Sequence, residues 1–175
     1  MGIRQAIADI RIMNALFTTA EQEAVALGDE VPGAEHLLLA VLAVPDDSAR
    51  RAFATFDVAA ADLRTAITQT HTLALRSVGI DAAEPGPAAP GPAEPGPTPT
   101  GPYRSTGSLQ DVFQRAVALS KEGPGRGHTL RSAHVVQAAA EVEHGTVSRV
   151  LRQLGVDRSD LQEAARQAIA ANETD

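Results

Sequence analysis

The chain has no cysteine, and only 3% of its 175 residues are aromatic. Disulfides and thiolate metal sites are therefore excluded, and the core must be built from aliphatic side chains and alanine. No apolar run approaches the roughly 20 residues that a membrane-spanning helix needs, and the first residues do not resemble a signal peptide. We expect no membrane partner and a cytoplasmic location. The net charge of −7 argues against nucleic-acid binding, because that affinity comes mainly from neutralised phosphates.

The sequence also lacks the motifs of common catalytic sites. It contains no G-x-x-x-x-G-K-[ST] phosphate-binding loop and no G-x-S-x-G nucleophile elbow. Glu141 and His144 have the i, i+3 spacing of a di-iron ligand pair, but such a site needs a second pair and two further glutamates. We therefore predict a protein that is not an enzyme, with no cofactor and no metal site.

The sequence does contain an internal duplication. Residues 36–66 align without a gap with residues 134–164, at an offset of 98 positions. The identical pairs are His36/His134, Ala40/Ala138, Val44/Val142, Arg51/Arg149, Val58/Val156, Asp62/Asp160, Leu63/Leu161 and Ala66/Ala164. Two copies are too few for an open solenoid, so they should close on each other. The duplication predicts an all-α fold of two four-helix repeats related by a pseudo-twofold axis.

Apolar periodicity and helix-stop residues predict where the helices lie. A first helix should end at Gly28, and the apolar segment over residues 34–44 should form a helix in the centre of a bundle. A third helix should follow Asp46, and a fourth should begin near Ala59. In the second copy, Asp157 is the predicted N-cap of the last helix.

A proline- and glycine-rich segment separates the two copies. Within residues 84–102 a Gly-Pro pair recurs every five residues. Such a segment lacks the side chains and backbone donors that a core requires, so we predict an extended linker over residues 81–104. The first repeat then spans residues 1–80 and the second residues 105–175, and together they should form one domain.

Motifs around the duplicated histidines resemble those of the N-terminal domain of the Clp ATPases. That family has a helix ending Leu-Gly-His, followed by Gly-Thr-Glu-His-Ile-Leu-Leu. Leu-Gly-Asp at residues 27–29 and Gly-Ala-Glu-His-Leu-Leu-Leu at residues 33–39 are similar to it. The second copy has Ser-Ala-His-Val-Val at residues 132–136, and Leu-Gly-Val at residues 154–156 matches the junction before the last helix. We expect a free-standing N-domain without the ATPase modules.

The resemblance implies a protein-interaction module. It would bind substrates, adaptors or a Clp ATPase in regulated proteolysis. An alternative is a decoy that sequesters peptide antibiotics or small ligands that target the N-domain of the ATPase.

A ligand site is also implied by the resemblance. In related domains the glutamate of the motif binds the guanidinium of phosphorylated arginine, and a threonine near the preceding helix start contacts the phosphate. Glu35 and Thr106 match these positions, but Ala133 and Ile10 stand at their counterparts, so each copy keeps at most half of a pocket. The alternative for Glu35 is that it only favours a helix N-terminus.

His36 and His134 occupy the same place in both copies. We predict a structural role for both residues. A buried imidazole that ties a helix to a neighbouring loop explains the recurrence without catalysis or metal binding.

Overall fold

The computed structural model describes residues 2–77, 79, 105–122 and 129–171, with side chains from residue 10 onwards. These residues form α-helices and no strand, which confirms the predicted all-α class. In chain order the helices are α1 (Gly2–Leu27), α2 (Ala34–Ala43), α3 (Ser48–Ala54), α4 (Ala60–Ser77), α5 (Gly107–Glu122), α6 (Ser132–Glu141), α7 (Thr146–Gln153) and α8 (Arg158–Ala171). The predicted linker, residues 81–104, lies outside the described residues.

Local signals set the helix ends as the sequence predicted. α1 ends at Gly28, which adopts the left-handed backbone (φ +85°) that glycine tolerates best. α8 begins after Asp157, whose Oδ1 accepts the N–H groups of Ser159 at 2.8 Å and Asp160 at 3.2 Å. α4 continues to Ser77.

α2 and α6 form the centre of the molecule and pack on each other. α2 is buried nearly all round, and Leu37, Leu38 and Leu39 are each at most 2% exposed. Truncating one such leucine to alanine typically costs about 2–5 kcal/mol. α3 packs on α8 and α4 on α7, so the two halves of the chain cover each other around one continuous core. The duplication and its pseudo-twofold axis remain predictions.

A polar network that the sequence did not reveal joins the two halves inside this core. Ser48 Oγ lies 3.0 Å from Ser132 Oγ, and both residues are fully buried. Asp46 Oδ1 accepts the N–H of Ser48 at 3.0 Å, and its Oδ2 accepts the N–H of Ser132 at 2.6 Å. Burial opposes ionisation of Asp46, but these hydrogen bonds outweigh it and lower the pKa of Asp46. The starts of α3 and α6 are thereby held together.

Candidate functional site

The two recurring histidines each hold the start of a central helix. At α2, the N–H of Gly33 donates to Nδ1 of His36 at 2.9 Å. At α6, the N–H of Arg131 donates to Nδ1 of His134 at 3.0 Å. Both imidazoles are buried. Each ring therefore satisfies a backbone donor just outside its helix, where no intrahelical acceptor exists.

The hydrogen bond at Nδ1 fixes the state of His36. A ring nitrogen that accepts a hydrogen bond carries no proton, so the neutral ring has its proton on Nε2. Burial lowers the pKa of His36 below its usual value, which favours the same neutral form. His36 consequently presents a donor at Nε2 and has no lone pair there for a metal ion.

Beside His36, three side chains from separate segments converge, and we call Asp29, Glu35 and His71 the Asp29 cluster. One potential ligand atom from each lies within 4.8 Å of the other two. His71 Nδ1 is 3.4 Å from Asp29 Oδ2, and His71 Nε2 is 4.0 Å from Glu35 Oε1. Asp29 Oδ2 also lies 3.1 Å from His36 Nε2. Two carboxylates and two imidazoles therefore share one patch at the start of α2.

Backbone features place the members of the Asp29 cluster. Asp29 follows Gly28, and its N–H bonds back to the last turns of α1 at 2.8 Å. Glu35 lies in the first turn of α2, where negative charge is favoured. Its carboxylate occupies the space beside Gly33, where a Cβ would lie 2.5 Å from Oε1. His71 comes from α4, which packs on α2.

Sequence reasoning found Glu35 and His36 but missed Asp29 and His71. The signal for Asp29 was its departure from the Clp motif, which has histidine after Leu-Gly. His71 offered no signal, because only the packing of α4 on α2 brings it to the cluster.

Thr106 lies at the N-terminus of α5 and contacts the loop before α2. Its N–H donates to the carbonyl of Pro32 at 3.1 Å, and its Oγ1 accepts the N–H of Leu109 at 3.4 Å. Thr106 therefore acts as a helix cap. It also adjoins the loop that leads into the helix carrying Glu35, so the two predicted ligand residues belong to neighbouring segments.

The second half differs at the equivalent positions. Ala133 replaces Glu35, is fully buried, and donates its N–H to Ser48 Oγ at 3.0 Å. Ile169 stands 98 positions after His71. Among the described residues of the second half, Ala133 and Ile169 therefore stand where the first half has Glu35 and His71.

A groove of about 380 Å³ lies between α4 of the first half and α7 of the second. Its lining consists of Thr70, Leu73, Ala74, Ser77, Arg149, Arg152 and Gln153. Leu73 is 60% exposed. The lining of the groove thus combines two apolar residues, Leu73 and Ala74, with two arginines.

Comparison with known proteins identifies the fold. Neither a protein-family model nor a curated protein matches the sequence. Among solved structures, the chain is similar to the N-terminal domain of the caseinolytic protease associated chaperone ClpD from Arabidopsis thaliana, with 20% sequence identity and a TM-score of 0.56. The match covers 93% of this chain and 92% of the other. The chain therefore has a Clp N-domain-like fold, as its motifs implied.

None of the described helices is long and apolar enough to cross a membrane.

Proposed function

We propose that the chain is a non-catalytic, Clp N-domain-like module that binds protein or peptide partners in regulated proteolysis. The observation that carries this proposal is the fold, which matches the ClpD N-terminal domain over nearly the full length of both chains. The partner is a substrate, an adaptor or a Clp ATPase, and it is met in the cytoplasm.

The groove between α4 and α7 supports a peptide as the partner. Leu73 offers apolar surface within a concave lining, which is where proteins commonly bury part of a ligand. Arg149 and Arg152 line the same groove, and guanidinium groups bind carboxylates through paired, charge-assisted hydrogen bonds. We therefore expect a partner segment with an apolar anchor flanked by acidic residues.

Affinity capture with the full chain tests this function. The parent protein should recover a Clp ATPase, a Clp adaptor or degradation substrates from the source cell. Leu73→Asp should lose them, because it replaces an apolar lining residue of the groove by a charged one. Val25→Asp is the matched control, since Val25 is 76% exposed on α1 and lies outside the groove lining.

The other outcomes contradict the proposal in distinct ways. Recovery of a peptide antibiotic or another small ligand in place of Clp components would favour the decoy alternative. Equal recovery by the Leu73 and Val25 variants would remove the groove as the docking site. Turnover of a substrate that a point mutation abolishes would overturn the non-catalytic assignment.

The proposal extends to Glu35 as a binding residue for arginine-type ligands, with Thr106 as its neighbour. The Glu35 carboxylate can accept two parallel hydrogen bonds from a guanidinium. Support comes from the contact of Thr106 with Pro32, which brings the remaining parts of two half-pockets to adjoining segments.

A further inference from the structure

We propose that Asp29, Glu35 and His71 form a binding site for one divalent transition-metal ion, with Zn²⁺ as the best-matched ion. The sequence alone predicted no metal site. The inference does not rest on the proposed function, because it follows from the geometry of these side chains.

The Asp29 cluster carries two negative charges in a partly covered site. The Glu35 side chain is 14% exposed, the His71 side chain 28%, and the Asp29 side chain 36%. Among the residues that the structure describes, the ion-pair contacts of both carboxylates are with histidines and not with lysine or arginine. Partly covered carboxylates favour a nearby cation, and the histidines supply one only when they are protonated. A bound metal ion would be such a cation.

His36 cannot supply that positive charge. Its Nδ1 accepts the N–H of Gly33, so a charged ring would lose this hydrogen bond. The nearby Glu35 Oε1, 3.6 Å from Nδ1, therefore faces a lone pair and not an N–H. The start of α2 is consequently lined by the carboxylate oxygens of Asp29 and Glu35 and by the lone pair of His36 Nδ1.

A second observation at the Asp29 cluster concerns two buried polar atoms, His36 Nε2 and Asp29 Oδ2. The His36 side chain is 1% exposed, and its Nε2 points toward Asp29 Oδ2. Both atoms are sealed from solvent, and neither has a hydrogen bond of good geometry. The two atoms face each other at 3.1 Å, so their contact is a poorly aligned hydrogen bond, whereas buried polar atoms usually have a well-aligned partner. A small rotation of Asp29 onto a metal ion would align its carboxylate with the Nε2–H, the outer-sphere contact that metal-binding carboxylates commonly have.

The donor set and its spacing fit Zn²⁺. Zinc takes imidazole nitrogen and carboxylate oxygen at about 2.0–2.2 Å, which places tetrahedral ligands roughly 3.4 Å apart. The 3.4 Å between Asp29 Oδ2 and His71 Nδ1 has this length, whereas the 4.0 Å contact of Glu35 Oε1 is with the other ring nitrogen of His71, Nε2. One His71 nitrogen binds the ion, and side-chain rotation brings the three ligand atoms, which lie within 4.8 Å of one another, to the zinc spacing. Three protein ligands leave one position open toward solvent.

Titration of the metal-free full chain with Zn²⁺ tests the proposal. Calorimetry and native mass spectrometry should show one ion per chain, and Zn²⁺ should raise the melting temperature because it binds the folded state. Replacing His71 by Gln or Asp29 by Asn should weaken Zn²⁺ binding by about tenfold or more. The visible spectrum of Co²⁺ provides a second readout, since its intensity distinguishes four- or five-coordinate Co²⁺ held by the protein from the octahedral ion in water.

His144→Gln is the matched control, because His144 is an exposed histidine in the second half, outside the cluster. It should leave Zn²⁺ affinity unchanged. Circular dichroism establishes that each variant is folded, and Glu35→Gln replaces any variant that is not. Absence of a stoichiometric ion, or equal affinity in the His71, Asp29 and His144 variants, would overturn the site.

Discussion

The starts of α2 and α6 contain the same histidine contact but obtain their negative charge differently. At α2 the carboxylate comes from the helix itself, as Glu35, and remains partly exposed. At α6 the carboxylate comes from the other half of the chain, as Asp46 bound to the N–H of Ser132. A helix N-terminus favours an anion in either arrangement. In the second half that anion joins the two halves of the chain, whereas in the first half it lies beside His36 and His71.

This difference explains why Ala133 is not simply a lost copy of Glu35. Ala133 is fully buried, and its N–H bonds to Ser48 across the core. A glutamate there would bury a second carboxylate close to Asp46, which is unfavourable without a cation. The start of α6 is therefore suited to packing, and Ala133 offers no side-chain carboxylate there.

Separating the halves should have the largest effect. α3 covers α8 and α4 covers α7, so each half alone exposes the apolar surface that the other buries. We expect residues 1–80 and residues 105–175, expressed separately, to lack cooperative thermal unfolding by circular dichroism. Mixing them should restore helical structure. Two stable, monomeric halves would show that the shared core is not required.

Asp46→Ala should have the next largest effect. It leaves the N–H of Ser132 without its charged acceptor inside the core, at a cost of about 2–3 kcal/mol in the free energy of unfolding. Asp47→Ala is the control, because the Asp47 side chain is 65% exposed and its ion pair with Arg50 is worth roughly 0–1 kcal/mol. Urea unfolding measures both. Equal losses would mean that the inter-half network adds no specific stability.

The same residue predicts a pH dependence. The pKa of Asp46 is lower in the folded chain than its ordinary value of 3.8, so its contribution is complete above that value. Stability should fall as the pH drops through the folded pKa, below 3.8. Asp46→Ala should remove that part of the acid sensitivity, and Asp47→Ala should retain it.

The smallest expected effect concerns ligand binding at Glu35. Calorimetry with a phosphoarginine peptide, in buffer containing a chelator, should detect one weak site. Glu35→Ala should lose about 1.5–3 kcal/mol of binding free energy, the usual value for a hydrogen bond to a charged group. Glu163→Ala is the control, since Glu163 is an exposed glutamate on α8. Unchanged binding by Glu35→Ala would leave Glu35 as a helix-end residue and exclude the first half as the arginine site.

Much of the fold could be predicted because local chemistry determines it. Gly28 ends α1 through its backbone freedom, Asp157 caps α8 through its side chain, and the leucines of α2 require burial on nearly every face. The motif around Glu35 and His36 likewise predicted the fold that the ClpD N-terminal domain shares. These features act within one helix or one turn, so the sequence displays them directly.

Tertiary structure alone decided which distant residues meet. His71 reaches Asp29 and Glu35 because α4 packs on α2, and Ser48 reaches Ser132 because the starts of α3 and α6 abut. Neither pairing has a periodicity or a spacing along the chain. The sequence by itself determined the helices and their buried faces, since these depend on nearest neighbours in the chain. The Asp29 cluster and the polar network between the halves depend on how the helices pack. Apolar burial drives that packing, and because it is non-directional, the sequence pattern does not specify which polar side chains meet.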